Sequence, residues 1–217
     1  MYQTVLFDLD GTLTDSGIGI TNSVIYALGK FGIHVSDRTG LYSFIGPPLV
    51  ESFERHYGFD HQQAEQAVSY YREYFSRKGI YENRPYDGIK ELLADLRDSG
   101  KVLLVATSKL EKFAGEVLKH FGLYEYFDAI AGSSVDGTRM KKGEIITYAL
   151  ESAGVDERES AIMVGDREHD ILGAKEAGID SLGVLYGYGS REELVMAGAD
   201  FLAENVGAVA ETLVGDC

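Results

Sequence analysis

The chain has 217 residues, of which 45% are hydrophobic and 25% charged, and its formal net charge is −15. This is the composition of an ordinary globular protein with room for one catalytic domain and a smaller one, and the single cysteine, Cys217, predicts neither disulfides nor a thiol nucleophile. The acidic balance excludes nucleic acid as a partner, and without a visible signal peptide or membrane segment we expect a cytoplasmic protein.

The first predicted element is a buried strand that ends in two aspartates. Residues 5–7 are apolar, Asp8 and Asp10 follow, and Gly11 allows a tight turn. Carboxylates are costly to bury at a strand end, so such a pair is usually kept for chemistry. Positions i and i+2 of an extended chain share a face. One carboxylate can therefore act as nucleophile and the other can move a proton, provided that a cation offsets their repulsion.

The next segment predicts a helical insertion. Apolar residues of 20–31 recur on one helical face, and residues 50–57 and 63–75 also have helical patterns with no strand between them. The predicted domains are a helical unit at 17–81 and a core formed by 1–16 and 82–217.

The rest of the chain alternates apolar strands with amphipathic helices. The predicted strands lie at 102–106, 129–131, 161–164 and 181–185, the predicted helices at 113–121, 144–153 and 171–177, and a predicted turn at 187–190. Continuously apolar strands separated by helices indicate a parallel sheet covered on both faces. We therefore predict a doubly wound α/β fold whose site lies at the carboxyl ends of the strands.

Three later segments add polar residues at such positions. They are the hydroxyl pair Thr107 and Ser108 after a strand, the lysine pair Lys141 and Lys142 before a helix, and Asp166 and Asp170 in a Gly-Asp-x-x-x-Asp sequence after another strand. Taken alone, the hydroxyl pair is typical of a helix cap and each lysine of an exposed surface.

Together, these segments resemble the four motifs of the haloacid dehalogenase superfamily, whose members mostly hydrolyse phosphate monoesters. The resemblance covers nearly the whole chain and implies a HAD-like core with an inserted helical cap that supplies specificity. It implies that Asp8 is the nucleophile and Asp10 the proton shuttle, and that Thr107 donates a hydrogen bond to the phosphoryl group. It also implies that Lys142 neutralises charge beside the nucleophile, with Lys141 as the alternative.

The same resemblance implies a magnesium site. Asp8, the backbone carbonyl of Asp10, and Asp166 would hold Mg²⁺, which prefers oxygen ligands and keeps several waters. Asp170 would ligate the metal directly, ligate it through water, or orient Lys142 without ligating, and we predict the orienting role.

The substrate is less closely defined by these motifs. Gly46 and Pro47 lie in a turn that resembles the substrate-facing cap loop of phosphoglycolate phosphatase-like enzymes, although a rigid turn between helices explains them equally well. Arg72 is a candidate for contacting a substrate anion, and Ser108 for lining the site. The C-terminal half resembles a 5'-nucleotidase-like branch, so a nucleoside monophosphate, phosphoglycolate and other small phosphoesters stay open.

Asp10 sets the predicted reaction class, because the resemblance links an acid at this position to phosphatases and phosphomutases rather than to dehalogenases or P-type ATPases. The prediction is a Mg²⁺-dependent phosphatase that binds a small phosphorylated metabolite, with neither nucleic acid nor membrane as partner, as a monomer or homodimer. The alternatives are a β-phosphoglucomutase-like mutase and a non-catalytic phosphometabolite-binding protein.

Overall fold

A computed structural model describes residues 2–214, so Cys217 lies outside the described residues. The chain divides into two compact units. The core unit comprises Met1–Thr14 and Pro85–Cys217, and the helical unit comprises Asp15–Arg84. Within residues 2–214, every helix is too short or too polar to cross a membrane.

The secondary structure of the described residues alternates strands and helices along the core unit. The strands are β1 (Thr4–Phe7), β2 (Thr14–Asp15), β3 (Arg84–Pro85), β4 (Val102–Leu110), β5 (Ala129–Ser133), β6 (Ala161–Gly165), β7 (Asp180–Val184) and β8 (Phe201–Ala203). The α-helices are α1 (Gly17–Lys30), α2 (Leu49–Tyr57), α3 (His61–Tyr74), α4 (Ile89–Asp98), α5 (Glu111–His120), α6 (Lys142–Ser152), α7 (Glu168–Ala177), α8 (Arg191–Ala197) and α9 (Val206–Val214). Short 3₁₀ helices cover Thr39–Phe44, Tyr124–Tyr126 and Arg158–Ser160, and a π-helix covers Phe75–Gly79.

The core unit is built on a six-stranded parallel sheet in the order β5-β4-β1-β6-β7-β8. In the centre, Phe7 of β1 lies opposite Val105 of β4 and Val164 of β6. All four residues of β1 are buried. Because alternate residues of a strand point to opposite faces, both faces of the sheet must be covered. The predicted doubly wound α/β fold is confirmed.

The strand order brings the carboxyl ends of β4, β1 and β6 to one edge of the sheet. Asp8 and Asp166 directly follow β1 and β6, and Thr107 lies among the last four residues of β4. The end of β4 is irregular, because its pairing with β5 shifts register between Ala106 and Leu110. Such a bulge bends a strand and redirects its side chains.

The helical unit has its own hydrophobic core, in which α1 and α2 pack against α3. Phe53 of α2 is fully buried, and its ring centroid lies 5.0 Å from that of Phe44 and 6.0 Å from that of Phe59. The start of α3 is fixed by a capping box, in which the Asp60 side chain accepts a hydrogen bond from the backbone N–H of Gln63. The unit therefore has both packing and capping that belong to its own residues.

Candidate active site

Three buried carboxylates form the centre of the candidate site. Asp8 follows β1, Asp166 follows β6, and Asp170 lies in the first turn of α7. Each offers an oxygen, and these three oxygens lie within 4.8 Å of one another. Segments far apart in sequence therefore converge on one acidic cluster at the edge of the sheet.

Lys142 at the start of α6 is the buried cation of this cluster. Its Nζ donates hydrogen bonds to Asp8 Oδ1 at 2.9 Å and to the carbonyl oxygen of Ala106 at 3.0 Å, and lies 2.7 Å from Asp170 Oδ1. Burial alone would lower the pKa of Lys142, but the attraction of Asp170 and Asp8 outweighs it and raises the pKa. The lysine is therefore charged at neutral pH.

Of the two candidate lysines, the structure brings Lys142 to Asp8 and leaves Lys141 exposed at the N-cap of α6. Gly173 on α7 makes room for the buried lysine, because a Cβ atom there would lie 2.6 Å from Lys142 Cγ. The glycine thus explains how a lysine stem packs between two helices.

The cluster carries more negative than positive charge. Burial raises the pKa of Asp166 well above its usual range, and repulsion by Asp170 and Asp8 raises it further. Burial also raises the pKa of Asp170, although Lys142 opposes that shift. With three carboxylates and one lysine in contact, a divalent cation would balance the charge.

The donor atoms fit Mg²⁺. Asp166 Oδ1 is buried and has no hydrogen-bond partner among residues 2–214, so an oxygen atom is available for a cation. The cluster offers only oxygen ligands, which Mg²⁺ prefers. In this arrangement Asp170 also pairs with Lys142, as the predicted orienting role requires.

Asp166 is enclosed by three glycines, Gly11, Gly187 and Gly189, which we call the glycine cage. A Cβ atom added at Gly11 would lie 2.2 Å from Asp166 Oδ2, and one added at Gly187 would lie 2.4 Å from Asp166 Cβ. One added at Gly189 would lie 1.9 Å from the Asp166 carbonyl oxygen. Between two of them, the backbone N–H of Tyr188 donates a 2.8 Å hydrogen bond to Asp166 Oδ2. The segment predicted only as a turn at 187–190 therefore holds a site carboxylate.

Asp10 forms a second charge pair, with Lys109. Its Oδ2 is 2.5 Å from Nζ of Lys109, and the two side chains are only 10% and 7% exposed. The sequence motifs predict no role for Lys109, although it directly follows the hydroxyl pair. The available signal was its position at the end of β4, the strand that neighbours the one bearing the aspartates.

The other predicted site residues fall in two places. Thr107 is buried beside Ala106, and its Oγ1 accepts a 3.3 Å hydrogen bond from the backbone N–H of Lys109. Ser108 is partly buried at the same strand end. Gly46, Pro47 and Arg72 instead belong to the helical unit. Gly46 has φ +101° and Pro47 follows it just before α2, whereas Arg72 is exposed on α3.

The chain is similar to enzymes of one family. Residues 5–184 match the family model described as haloacid dehalogenase-like hydrolase. A 5'-nucleotidase from Pseudomonas aeruginosa is 51% identical over 193 residues, which cover 89% of this chain and 87% of that protein. The crystal structure of a predicted phosphatase from Clostridium acetobutylicum has 50% identity and a TM-score of 0.95 and covers 99% of both chains.

A relative with a different name aligns with much of the same length. The tyrosine-protein kinase PtkA from Mycobacterium tuberculosis is 45% identical over 188 residues, which cover 86% of this chain. The match spans 63% of that relative's own length. Proteins named for hydrolysis and for phosphoryl transfer to tyrosine are therefore both similar to this chain.

Proposed function

The chain belongs to the haloacid dehalogenase-like hydrolases, and on this premise we propose that it is a Mg²⁺-dependent phosphatase acting on a small phosphate monoester. The supporting observation is the buried cluster of Asp8, Asp166 and Asp170, in which Lys142 forms ion pairs with Asp8 and Asp170. A carboxylate nucleophile needs such a cation beside it, because the attacked phosphate is itself an anion.

In the first step, a carboxylate oxygen of Asp8 attacks phosphorus, and an aspartyl-phosphate forms as the phosphorus–oxygen bond of the ester breaks. The departing alcohol oxygen keeps the electron pair and takes a proton from Asp10. In the second step, water attacks phosphorus and gives a proton to Asp10. The bond between phosphorus and Asp8 then breaks, which restores both carboxyl groups to their starting forms.

The remaining groups stabilise charge. Asp8, Asp166 and the backbone carbonyl of Asp10 would hold Mg²⁺, which when bound supplies positive charge beside the phosphoryl oxygens. Lys142 adds a fixed positive charge next to the nucleophile, and Asp170 holds that lysine in place. Thr107 would donate its hydroxyl to the phosphoryl group.

For the substrate, we propose a nucleoside 5'-monophosphate first, with phosphoglycolate second. The relative named 5'-nucleotidase, 51% identical over 89% of this chain, supports this order. A phosphoglycolate phosphatase from Vibrio cholerae is 27% identical over 98% of the chain.

The test is a turnover assay with nucleoside monophosphates, phosphoglycolate and p-nitrophenyl phosphate, each with Mg²⁺ or with a chelator. Asp8→Asn is expected to lose at least about 10³-fold in kcat, because an amide cannot form the aspartyl-phosphate. Asp156→Asn, an exposed change with the same chemistry, is the matched control and is expected to keep full activity. Unchanged turnover in Asp8→Asn would remove the nucleophile, and a wild type that turns over no substrate would favour the binding-protein alternative.

Two further arms separate the other reactions. Incubation with a hexose 1-phosphate distinguishes release of inorganic phosphate from the isomerised sugar phosphate that a mutase would form. Incubation with ATP and a tyrosine-containing polymer tests transfer to tyrosine, because a kinase relative is 45% identical over 86% of the chain. Phosphate release without either product is the expected result.

A further inference from the structure

In the ion pair between Asp10 and Lys109, the two carboxylate oxygens of Asp10 have different surroundings. Oδ2 lies 2.5 Å from the ammonium nitrogen of Lys109. Oδ1 is buried and has no hydrogen-bond partner within residues 2–214. A carboxylate held by one oxygen has lost most of its rotational freedom, and its second oxygen is left for another group.

The irregular end of β4 provides the position of Lys109. Ala106 pairs with Ala131 and Leu110 with Ser133, so four steps along β4 match only two along β5. Within this bulge, the hydroxyl oxygen of Thr107 accepts a hydrogen bond from the backbone N–H of Lys109. Bulges of this kind redirect side chains next to active sites.

Lys142 and Lys109 pair with different carboxylates. Lys142 pairs with Asp8 and Asp170, whereas Lys109 pairs with Asp10. Neutralising the nucleophile therefore does not require Lys109. Its ion pair is with the group to which the proposed mechanism gives the proton transfer.

We propose that Lys109 is a positioning residue for proton transfer to the leaving group. By donating a hydrogen bond to Oδ2, it holds the Asp10 carboxyl group in place. Oδ1 then carries the proton of the first step and stays directed to the alcohol oxygen that departs when the ester bond breaks. This inference rests on the proposed function. It adds a residue whose effect on the rate depends on which alcohol leaves, because alcohols differ in how much they need a proton.

The dependence of kcat/KM on the leaving group distinguishes this role from a role in phosphate binding or in folding. An alkyl alcohol must be protonated as it departs, whereas a nitrophenolate departs readily without a proton. The ratio kcat/KM reports steps up to the first irreversible one, which here is transfer to Asp8. Loss of Lys109 should therefore reduce kcat/KM for an alkyl phosphate much more than for an aryl phosphate.

The experiment measures kcat/KM of the Mg²⁺-loaded full chain for a nucleoside 5'-monophosphate and for p-nitrophenyl phosphate. Lys109→Met is expected to lose about 10–100-fold with the alkyl ester and less than about threefold with the aryl ester, within the usual range for acid catalysis. Lys109→Gln, which keeps an N–H donor for Asp10, is expected to lose less. Lys112→Met, an exposed lysine on α5, is the matched control and should change neither value.

A second comparison tests whether Lys109 acts through Asp10. In an Asp10→Asn background, Lys109→Met should add no further loss with the alkyl ester, because the group that it positions no longer carries the proton. Near-ultraviolet circular dichroism identifies folded variants, and if Lys109→Met is unfolded then Lys109→Ala, which also removes the donor, carries the test. Equal losses with both esters, or none, in the folded variant that lacks the donor would overturn the inference. A wild type inactive on every ester would instead overturn the proposed function, and this inference with it.

Discussion

At the scale of single residues, the surroundings of Asp166 suit a bound cation, but they lower the stability of the fold when no cation is bound. It is fully buried, and within residues 2–214 only one of its carboxylate oxygens accepts a hydrogen bond, from the backbone N–H of Tyr188. Burial and the neighbouring carboxylates raise its pKa, which means that its charged form is disfavoured in the folded protein. Binding capacity and stability therefore conflict at this position.

This conflict predicts that Asp166→Asn stabilises the protein in the presence of a chelator. A neutral amide removes the repulsion from Asp8 and Asp170, and its oxygen can still accept the N–H of Tyr188. At about pH 7.5 the expected gain is about 1–3 kcal/mol in the free energy of unfolding, seen as a higher midpoint in thermal denaturation. We expect Mg²⁺ to raise the denaturation midpoint of the wild type, and in Asp166→Asn this increase should disappear.

The pH dependence has a defined sign. A raised pKa means that folded Asp166 binds a proton at pH values where the unfolded chain has released it, so wild-type stability falls as the pH rises through that interval. The advantage of Asp166→Asn should therefore shrink when the pH is lowered to about 5. Asp156→Asn, at an exposed loop position, controls for the lost charge. A gain that is constant with pH would contradict the raised pKa.

At the scale of elements, the loop after β7 packs against Asp166, the residue that follows β6. Gly187 presses against both Asp166 and the carbonyl oxygen of Gly11, each 2.4 Å from where its Cβ atom would lie. Because Gly187 is not among the positive-φ glycines, a side chain is excluded by space rather than by backbone conformation. The loop thus fixes the carboxylate by close backbone packing.

Gly187→Ala should therefore weaken Mg²⁺ binding. The added methyl group must displace Asp166 or the loop, and we expect the Mg²⁺ concentration for half-maximal thermal stabilisation to rise about tenfold or more. Gly115→Ala on α5 is the matched control, since the nearest atom to its Cβ would be 3.8 Å away, and it should leave cation binding unchanged. A Gly187→Ala protein that folds and binds Mg²⁺ as the wild type does would show that the cage is not needed.

The same elements show which features can be predicted from sequence. Apolar runs predicted five of the six strands of the parallel sheet, because buried strands are rich in apolar residues. The sixth, β8, has only three residues and was not predicted. The bulge that directs Lys109 could not be predicted, because it is a mismatch between two strands distant in sequence. Similarly, the segment at 187–190 has only the pattern of a turn, because its role arises from its approach to Asp166. The roles of Asp8 and Lys142 stay predictions, although the structure brings their side chains into contact.

At the scale of the whole molecule, the helical unit is an insertion, and the core residues that flank its two ends are hydrogen-bonded to each other. The backbone N–H of Tyr86 donates a 3.1 Å hydrogen bond to the carbonyl oxygen of Leu13, so the chain leaves and re-enters the core unit at neighbouring positions. The acidic cluster, Lys142 and Lys109 all belong to the core unit. The core unit therefore contains both its own hydrophobic sheet and the proposed chemistry.

Replacing Asp15–Arg84 by a four-residue Gly-Ser linker should accordingly leave a folded core, because closing so short a gap costs little entropy. We expect cooperative thermal unfolding, a midpoint raised by Mg²⁺, and residual hydrolysis of p-nitrophenyl phosphate that Asp8→Asn abolishes. Preference among natural esters should be lost, because the family resemblance assigns specificity to the helical unit. Non-cooperative unfolding of the shortened chain would show that the core depends on the insertion. Retained preference would instead place substrate choice in the core unit, among side chains such as Ser108 at the end of β4.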